Sequence, residues 1–171
     1  VALNARANAL RNPEALMHGR PLTRDEYFAA PMLADPHCRY DFCLESDGAI
    51  AIVVTSAERA RDLRQRPVDV LASAHGGART WGRAIYWLNM PESEFTSSGH
   101  APIARHLYAR AGLGPQDVDV AQLYDHFSSQ VLMQLEDYGF CAKGEGGPFV
   151  ASGATALGGS LPVNTDGGQL S

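Results

Sequence analysis

The side chains best suited to chemistry lie together in residues 122–128, which read Gln-Leu-Tyr-Asp-His-Phe-Ser. Tyr124, Asp125 and His126 are consecutive ionisable residues at a point where an apolar strand, predicted over residues 118–123, gives way to a helix. In open α/β sheets ligands gather at the carboxyl ends of strands, and the next helix supplies free N–H groups and a positive dipole end. A phenol, a carboxylate and an imidazole can each exchange a proton with a substrate. These three residues are therefore the candidate catalytic residues.

A structural interpretation of the same segment remains open. Aspartate is a favoured helix N-cap, so Asp125 can begin the following helix without any chemical role. Tyr124 and His126 would then be ordinary neighbours of the cap. Sequence alone does not choose between the two interpretations.

The elements that must position these residues alternate between strands and helices. Residues 49–54 form a continuous apolar run with β-branched side chains, which predicts a strand buried on both faces. The predicted elements, strand and helix in turn, span residues 49–54, 57–63, 67–72, 103–111, 118–123 and 127–138. This alternation favours a layered α/β or α-β-α arrangement.

The first 45 residues show weaker patterns. A short helix is predicted over residues 1–10, and Thr23 with Glu26 has the spacing of a capping box that begins a helix running to about Ala30. We therefore divide the chain into an irregular segment, residues 1–45, and a core, residues 46–171. The chain begins at Val1 without an initiator methionine, and both ends are expected to continue into a longer protein.

Composition excludes several classes of protein. The 171 residues are 45% hydrophobic and 19% charged, which are globular values, and the net charge of -5 argues against general nucleic-acid binding. The sequence has no secretory or membrane-spanning run. Three cysteines, an odd number without a disulfide framework, favour a cytoplasmic protein.

Two further groups of residues are candidate sites with weaker support. His37, Cys38 and Cys43 lie close in sequence, but a structural zinc site needs four well-spaced ligands, so no metal is predicted. Cys141 is interpreted as a small buried apolar residue rather than a nucleophile.

Aromatic residues are unusually frequent in residues 76–99, which show no helical or alternating period. This segment is either a loop folded back on the core, or the rim of an apolar ligand site or a partner surface. Under the second interpretation the substrate-binding residues are Trp81, Tyr86 and Trp87.

Four motifs, in this order along the chain, resemble landmarks of the thiolase superfamily. They are Asn12-Pro13-Glu14-Ala15, Ser46-Asp47-Gly48-Ala49, Ala111-Gly112-Leu113 with Asp117, and Pro162-Val163-Asn164-Thr165-Asp166-Gly167-Gly168. The resemblance implies the layered α-β-α thiolase fold, present here in part. It also implies that some apolar surface of these residues is left for missing elements, or another chain, to cover.

One tetrapeptide narrows the resemblance. Thiolases have Asn-Glu-Ala-Phe at the strand-to-helix junction and sterol-carrier thiolases have His-Asp-Cys-Phe, whereas this chain has Tyr-Asp-His-Phe at residues 124–127. This resembles the lipid-transfer-protein branch and its actinobacterial steroid side-chain aldolases. The resemblance implies that Tyr124 is the acid, base or hydrogen-bond donor at the reacting oxygen, tuned by Asp125 or His126.

The resemblance also implies a reaction and its partners. The reaction is retro-aldol cleavage of a β-hydroxyacyl-CoA from sterol side-chain degradation, releasing a short acyl-CoA and a ketone. Coenzyme A is part of the substrate, no cofactor is tightly bound, and a homodimer is joined by a small OB-fold partner protein.

Two alternatives remain. One is a non-catalytic lipid or acyl-CoA carrier, and the other is an acetyl-CoA acyltransferase, which needs a cysteine nucleophile. In the family the nucleophile position would precede Val1, and a second catalytic loop would follow Ser171, so this sequence does not test either requirement.

Overall fold

The computed structural model describes residues 1–76 and 96–171, and six α-helices lie within those ranges. They are α1 (Ala2–Ala9), α2 (Arg24–Ala29), α3 (Ala57–Ala60), α4 (Ala101–Ala111), α5 (Ser128–Asp137) and α6 (Gly146–Ala151). A short antiparallel hairpin joins β1 (Met32–Ala34) to β2 (His37–Cys38), and 3-10 turns follow at Arg39–Asp41 and Pro115–Asp117. None of the helices in the described ranges combines the length and the apolarity that crossing a bilayer requires.

The predicted helix ends are confirmed where a local cap exists. The Thr23 hydroxyl accepts a hydrogen bond from the Glu26 N–H at 3.2 Å, and the Glu26 carboxylate accepts one from the Thr23 N–H at 2.8 Å. Helix α4 ends at Gly112, which adopts the left-handed conformation with φ of 68°. Helix α3 begins after its Ser56 cap as predicted but is regular only to Ala60.

Two of the three predicted strands are wrong for the described residues. Residues 49–54 and 67–72 pair with no other described strand. Their side chains are exposed rather than buried on both faces: Ile50 and Val68 are each 92% exposed. A strand needs a neighbour to pair with its N–H and C=O groups, and none of the described segments supplies one. The prediction of uncovered apolar surface is thereby confirmed.

The third predicted strand, residues 118–123, pairs at one point. Ala121 lies parallel to Val163, its N–H donating to the Pro162 carbonyl and its carbonyl accepting from the Asn164 N–H, both at 3.0 Å. The buried core forms around this pairing, from Ala121, Val131, Leu135, Leu161 and Val163. Two of these residues, Val131 and Leu135, belong to α5, the helix that follows the candidate catalytic segment.

A buried carboxylate, Asp41, ties the segment of residues 1–45 to α5. Asp41 accepts hydrogen bonds from the Tyr27 hydroxyl at 2.8 Å, the Cys38 N–H at 2.8 Å and the Ser128 hydroxyl at 2.5 Å. Burial acts to raise the pKa of Asp41, but the donors, led by Ser128 and Tyr27, outweigh it and lower that pKa. The pKa of Tyr27 is raised, chiefly by burial and then by its hydrogen bond to Asp41.

Replacing this carboxylate by an amide is expected to destabilise the protein in a pH-dependent way. Asp41→Asn loses charge-assisted bonds and should cost about 1–3 kcal/mol in the free energy of unfolding at pH 7. A carboxylate whose pKa is depressed in the folded state contributes fully above its unfolded value of about 3.9, and that contribution is lost as pH falls through the lower folded value. The gap in urea midpoint between wild type and variant should therefore narrow from pH 7 to pH 3.

Asp62→Asn is the matched control, because Asp62 is exposed. It should change the free energy of unfolding by no more than about 0.5 kcal/mol at either pH. An equally large Asp41 gap at pH 7 and pH 3 would show that the carboxylate charge is not what Asp41 contributes.

Candidate functional site

Tyr124 carries its phenol at the surface, between the extended segment around Ala121 and the start of α5. Its side chain is 57% exposed, so the hydroxyl is not enclosed in hydrocarbon. The ring stacks on His126, with ring centroids 4.3 Å apart and planes 24° apart. The structure thus brings two of the three predicted catalytic side chains into contact.

His126 is held in a largely apolar setting. Its ring also contacts Phe127 at 4.7 Å between centroids, and its Nδ1 atom is buried without a hydrogen-bond partner among the described residues. Burial lowers the pKa of His126 below its ordinary value, although the Asp125 charge acts to raise it. The imidazole is therefore neutral at pH 7 and does not supply positive charge to the neighbouring phenol.

Asp125 is turned into the protein. Its side chain is only 2% exposed, and its two oxygens accept hydrogen bonds from the N–H groups of Gln169 at 2.8 Å and Leu170 at 3.3 Å. The N-cap of α5 is Phe127, without a side-chain cap, so the interpretation of Asp125 as the helix cap is wrong. The carboxylate instead fixes the turn at the C-terminal end of the chain against the segment that carries Tyr124.

That turn also approaches the site through Asn164. Asn164 has φ of 48°, and its side-chain amide pairs with the main chain of Leu123, accepting from the N–H at 2.7 Å and donating to the carbonyl at 2.9 Å. From α1, the Asn8 amide donates to the carbonyls of Val163 at 3.0 Å and Asn164 at 2.9 Å. Residues from both ends of the chain therefore support the residue immediately before Tyr124.

Gln134 supports Tyr124 itself, although its sequence position does not mark it as a site residue. Its amide oxygen accepts from the Tyr124 N–H at 3.2 Å, and its amide nitrogen donates to the Tyr124 carbonyl at 2.6 Å. The sequence offers one signal for Gln134: it is a polar residue on the buried side of a helix. Gln130 and Gln134 are both buried in α5, beside its apolar residues. A buried polar side chain is expected to have a hydrogen-bond partner.

The remaining predicted sites are dispersed. Trp81, Tyr86 and Trp87 lie outside the described residues. His37 contacts the Ser129 hydroxyl at 2.9 Å, and within residues 1–76 and 96–171 no three His, Cys, Asp or Glu side chains are grouped closely enough to hold a metal ion. Cys141 packs against the core, and burial raises the pKa of its thiol, which disfavours the nucleophilic thiolate.

A cleft of about 490 Å³ opens between α1, α2, α6 and the N-terminal half of α5. Its polar side chains come from Asn4, Arg24, Tyr27, Asp41 and Ser128, and Tyr124 is not among the residues that line it.

Comparison with known proteins places this geometry in a family. Residues 84–171, just over half of the chain, match the family described as thiolase C-terminal domain-like. The chain is 44% identical over 170 residues to the 17-hydroxy-3-oxo-4-pregnene-20-carboxyl-CoA lyase of Mycobacterium tuberculosis, covering 99% of the chain and 44% of that protein. It is 40% identical to a steroid side-chain-cleaving aldolase of Thermomonospora curvata, over 99% of the chain and 43% of that protein.

A more distant relative and a solved structure show the same family resemblance. Sterol carrier protein 2 of Rattus norvegicus is 33% identical over 75% of the chain and 23% of that protein. A solved structure described as the Ltp2-ChsH2(DUF35) aldolase superposes with a TM-score of 0.88 at 39% identity, over 99% of this chain and 44% of that chain. The chain thus spans less than half the length of the aldolases that it resembles.

The family match and the superposition, which extends over 99% of this chain, together confirm the predicted thiolase-like fold class. With the family match over residues 84–171, which includes the whole segment around Tyr124, the chain belongs to the thiolase C-terminal domain-like family.

Proposed function

We propose that this chain contributes Tyr124 to the active site of a carbon–carbon lyase that cleaves a β-hydroxyacyl-CoA thioester from sterol side-chain degradation. The observation that carries the proposal is that the Tyr124 phenol is exposed just before α5. The main chain of Tyr124 is held by the buried side chain of Gln134. The identity of 40–44% to proteins named as a lyase and an aldolase of steroid side chains supports the substrate class.

The chemistry requires one proton to move at each end of the broken bond. A base takes the proton of the β-hydroxyl, the oxygen forms a carbonyl, and the electrons of the Cα–Cβ bond pass to the thioester as an enolate. Protonation of the enolate at Cα then gives the shorter acyl-CoA, and the other product is a ketone. This cleavage needs no covalent enzyme intermediate and no second thiol, in contrast to thiolysis.

Tyr124 is the group we assign to the β-oxygen, as base, acid or hydrogen-bond donor. An ordinary phenol has a pKa near 10 and is a weak base at neutral pH, so positive potential is needed nearby. His126 is neutral by virtue of its lowered pKa and supplies no such potential, whereas α5 begins at Ser128, four residues after Tyr124, with the positive end of its dipole. His126 then acts through its stacked ring and Asp125 through the turn it fixes.

We propose in addition that the working assembly is a homodimer joined by a small OB-fold partner protein. The similar structure described as the Ltp2-ChsH2(DUF35) aldolase supports a second protein component. Coenzyme A is bound as part of the substrate, and no cofactor is tightly held. A cytoplasmic location fits the free cysteines Cys38, Cys43 and Cys141.

The experiment uses the full-length protein purified with its partner and a β-hydroxyacyl-CoA that carries a steroid ring system. We expect a steroid ketone and a short acyl-CoA to form in equal amounts without added free coenzyme A, as measured by mass spectrometry. Thiolysis of a β-ketoacyl-CoA only when free coenzyme A is present would indicate an acyltransferase. Tight binding of the thioester without any product would indicate a carrier.

A further inference from the structure

Two amide side chains hold two consecutive residues of the candidate site. Asn164 pairs with both main-chain groups of Leu123, and Gln134 pairs with both main-chain groups of Tyr124. Each amide thereby takes the place that a neighbouring strand would occupy in a sheet, where N–H and C=O groups of adjacent strands pair. The extended segment that ends in Tyr124 is fixed by side chains at the point where its pairing with residues 162–164 stops.

The hydrogen bonds of Gln134 require an amide and fix its orientation. The Nε2 atom donates to the carbonyls of Tyr124 at 2.6 Å and Gln130 at 3.0 Å, while Oε1 accepts from the Tyr124 N–H at 3.2 Å. An amide has two donors and an acceptor, an ionised carboxylate only accepts, and a hydrocarbon does neither. Gln134 is 4% exposed, so water does not readily replace these bonds.

The helix that carries Gln134 is itself firmly anchored. Val131 and Leu135, on either side of Gln134 in α5, are both buried members of the core. The phenol, by contrast, is mostly exposed, and its one described ring contact is with His126. The direction in which the phenol leaves the chain therefore depends mainly on the main chain of Tyr124, which Gln134 holds.

We infer that Gln134 is a positioning residue, whose side-chain amide fixes the main chain of Tyr124 so that the phenol is directed at the β-oxygen of the substrate. This inference rests on the proposed function, because it assigns Gln134 a role only through Tyr124. Catalytic groups lose much of their effect when displaced by about 1 Å, which can cost on the order of 10²-fold in rate. Substrate binding, made elsewhere, is not expected to change.

The first test compares two leucine variants of the full-length protein with its partner. Gln134→Leu removes all three side-chain hydrogen bonds and should lower kcat by roughly 10- to 100-fold with KM changed less than about 3-fold. Gln130→Leu is the matched control, since Gln130 is one turn earlier in α5, is also buried, and contacts the Gln134 amide only through its main-chain carbonyl. It should keep kcat within about 3-fold of wild type.

The second test uses pH. In Gln134→Glu the protonated acid can accept from the Tyr124 N–H and donate to the Tyr124 carbonyl, but the ionised form cannot donate. Burial raises the pKa of a carboxylic acid, so ionisation is expected near neutral pH or above. The ratio of variant to wild-type kcat should therefore fall as pH rises from about 6 to 9, a signature that altered packing alone does not give.

The outcomes separate this inference from the proposed function. Wild-type kcat in a folded Gln134→Leu protein, or equal losses in Gln134→Leu and Gln130→Leu, would overturn the positioning role. If Gln134→Leu does not fold, a kcat ratio for Gln134→Glu that is constant with pH would overturn it instead. A different result would contradict the proposed role of Tyr124: an unchanged kcat in Tyr124→Phe, whatever the Gln134 variants do.

Discussion

Tyr124→Phe is expected to lower kcat for β-hydroxyacyl-CoA cleavage by about 10²- to 10⁴-fold, the usual contribution of a positioned acid or base. The substitution removes only the hydroxyl. The hydrogen bonds that hold Tyr124 in place are made by its main-chain N–H and carbonyl, and the ring that stacks on His126 is retained. The loss should therefore appear in turnover, with little change in the thermal midpoint of unfolding.

Tyr108→Phe is the control for losing a phenolic hydroxyl elsewhere. The Tyr108 hydroxyl donates to the Tyr138 carbonyl at 2.9 Å, at the opposite end of α5 from Tyr124. Its removal should cost about 0.5–1.5 kcal/mol of stability and leave kcat within about 3-fold of wild type. A Tyr124→Phe protein that cleaves at the wild-type rate would remove the phenol from the reaction.

Gly168→Ala is expected to disrupt the turn that supports the site, with a loss of about 3–5 kcal/mol in the free energy of unfolding. A Cβ atom at Gly168 would overlap Oδ2 of Asp125 and lie 2.9 Å from Nδ2 of Asn164. Both side chains are buried and hydrogen-bonded to the main chain, so neither can move away without losing its partners. Because these side chains also support Tyr124, turnover should fall along with stability.

Gly112→Ala is the control that separates the cost of the left-handed backbone from the cost of the steric contact at Gly168. Gly112 has φ of 68°, close to the 65° of Gly168, but a Cβ atom added at Gly112 would have nothing within 4 Å of it. It should cost only the left-handed penalty of about 1–2 kcal/mol. The measurement is the urea midpoint of both variants in the full-length protein. Equal losses would show that the close approach to Asp125 and Asn164 contributes nothing.

Local signals in the sequence predict the helices well. The capping box of Thr23 and Glu26 and the glycine at position 112 are decided by neighbouring residues, so their positions follow from the sequence alone. The apolar face of α5 is also predictable, since Val131 and Leu135 enter the core. The short hairpin β1–β2 and the helix α6 carry too few residues to give a period.

Strands depend on partners that sequence does not locate. Residues 49–54 have the composition of a buried strand, yet Val53 is 88% exposed because none of the described residues pairs with it. The same limit applies to the site. The place of Tyr124 at a strand-to-helix junction is predictable, but the pairing of its main chain with Gln134, ten residues later, arises only when α5 packs on the core.

The electrostatic tuning of Tyr124 is also beyond the sequence. Asp125 or His126 is predicted to adjust the phenol, and only the structure shows that the carboxylate bonds to Gln169 and Leu170 and that burial lowers the pKa of the imidazole. Burial and hydrogen-bond partners determine these properties, and neither is a property of a residue type.

The most direct test of the account is one distance in a structure of the full-length protein and its partner bound to a non-cleavable β-hydroxyacyl-CoA analogue. We predict that the Tyr124 hydroxyl oxygen lies about 2.6–3.2 Å from the β-oxygen, or reaches it through one water. A bound analogue whose β-oxygen contacts other side chains, with the Tyr124 phenol directed away from it, would contradict the account.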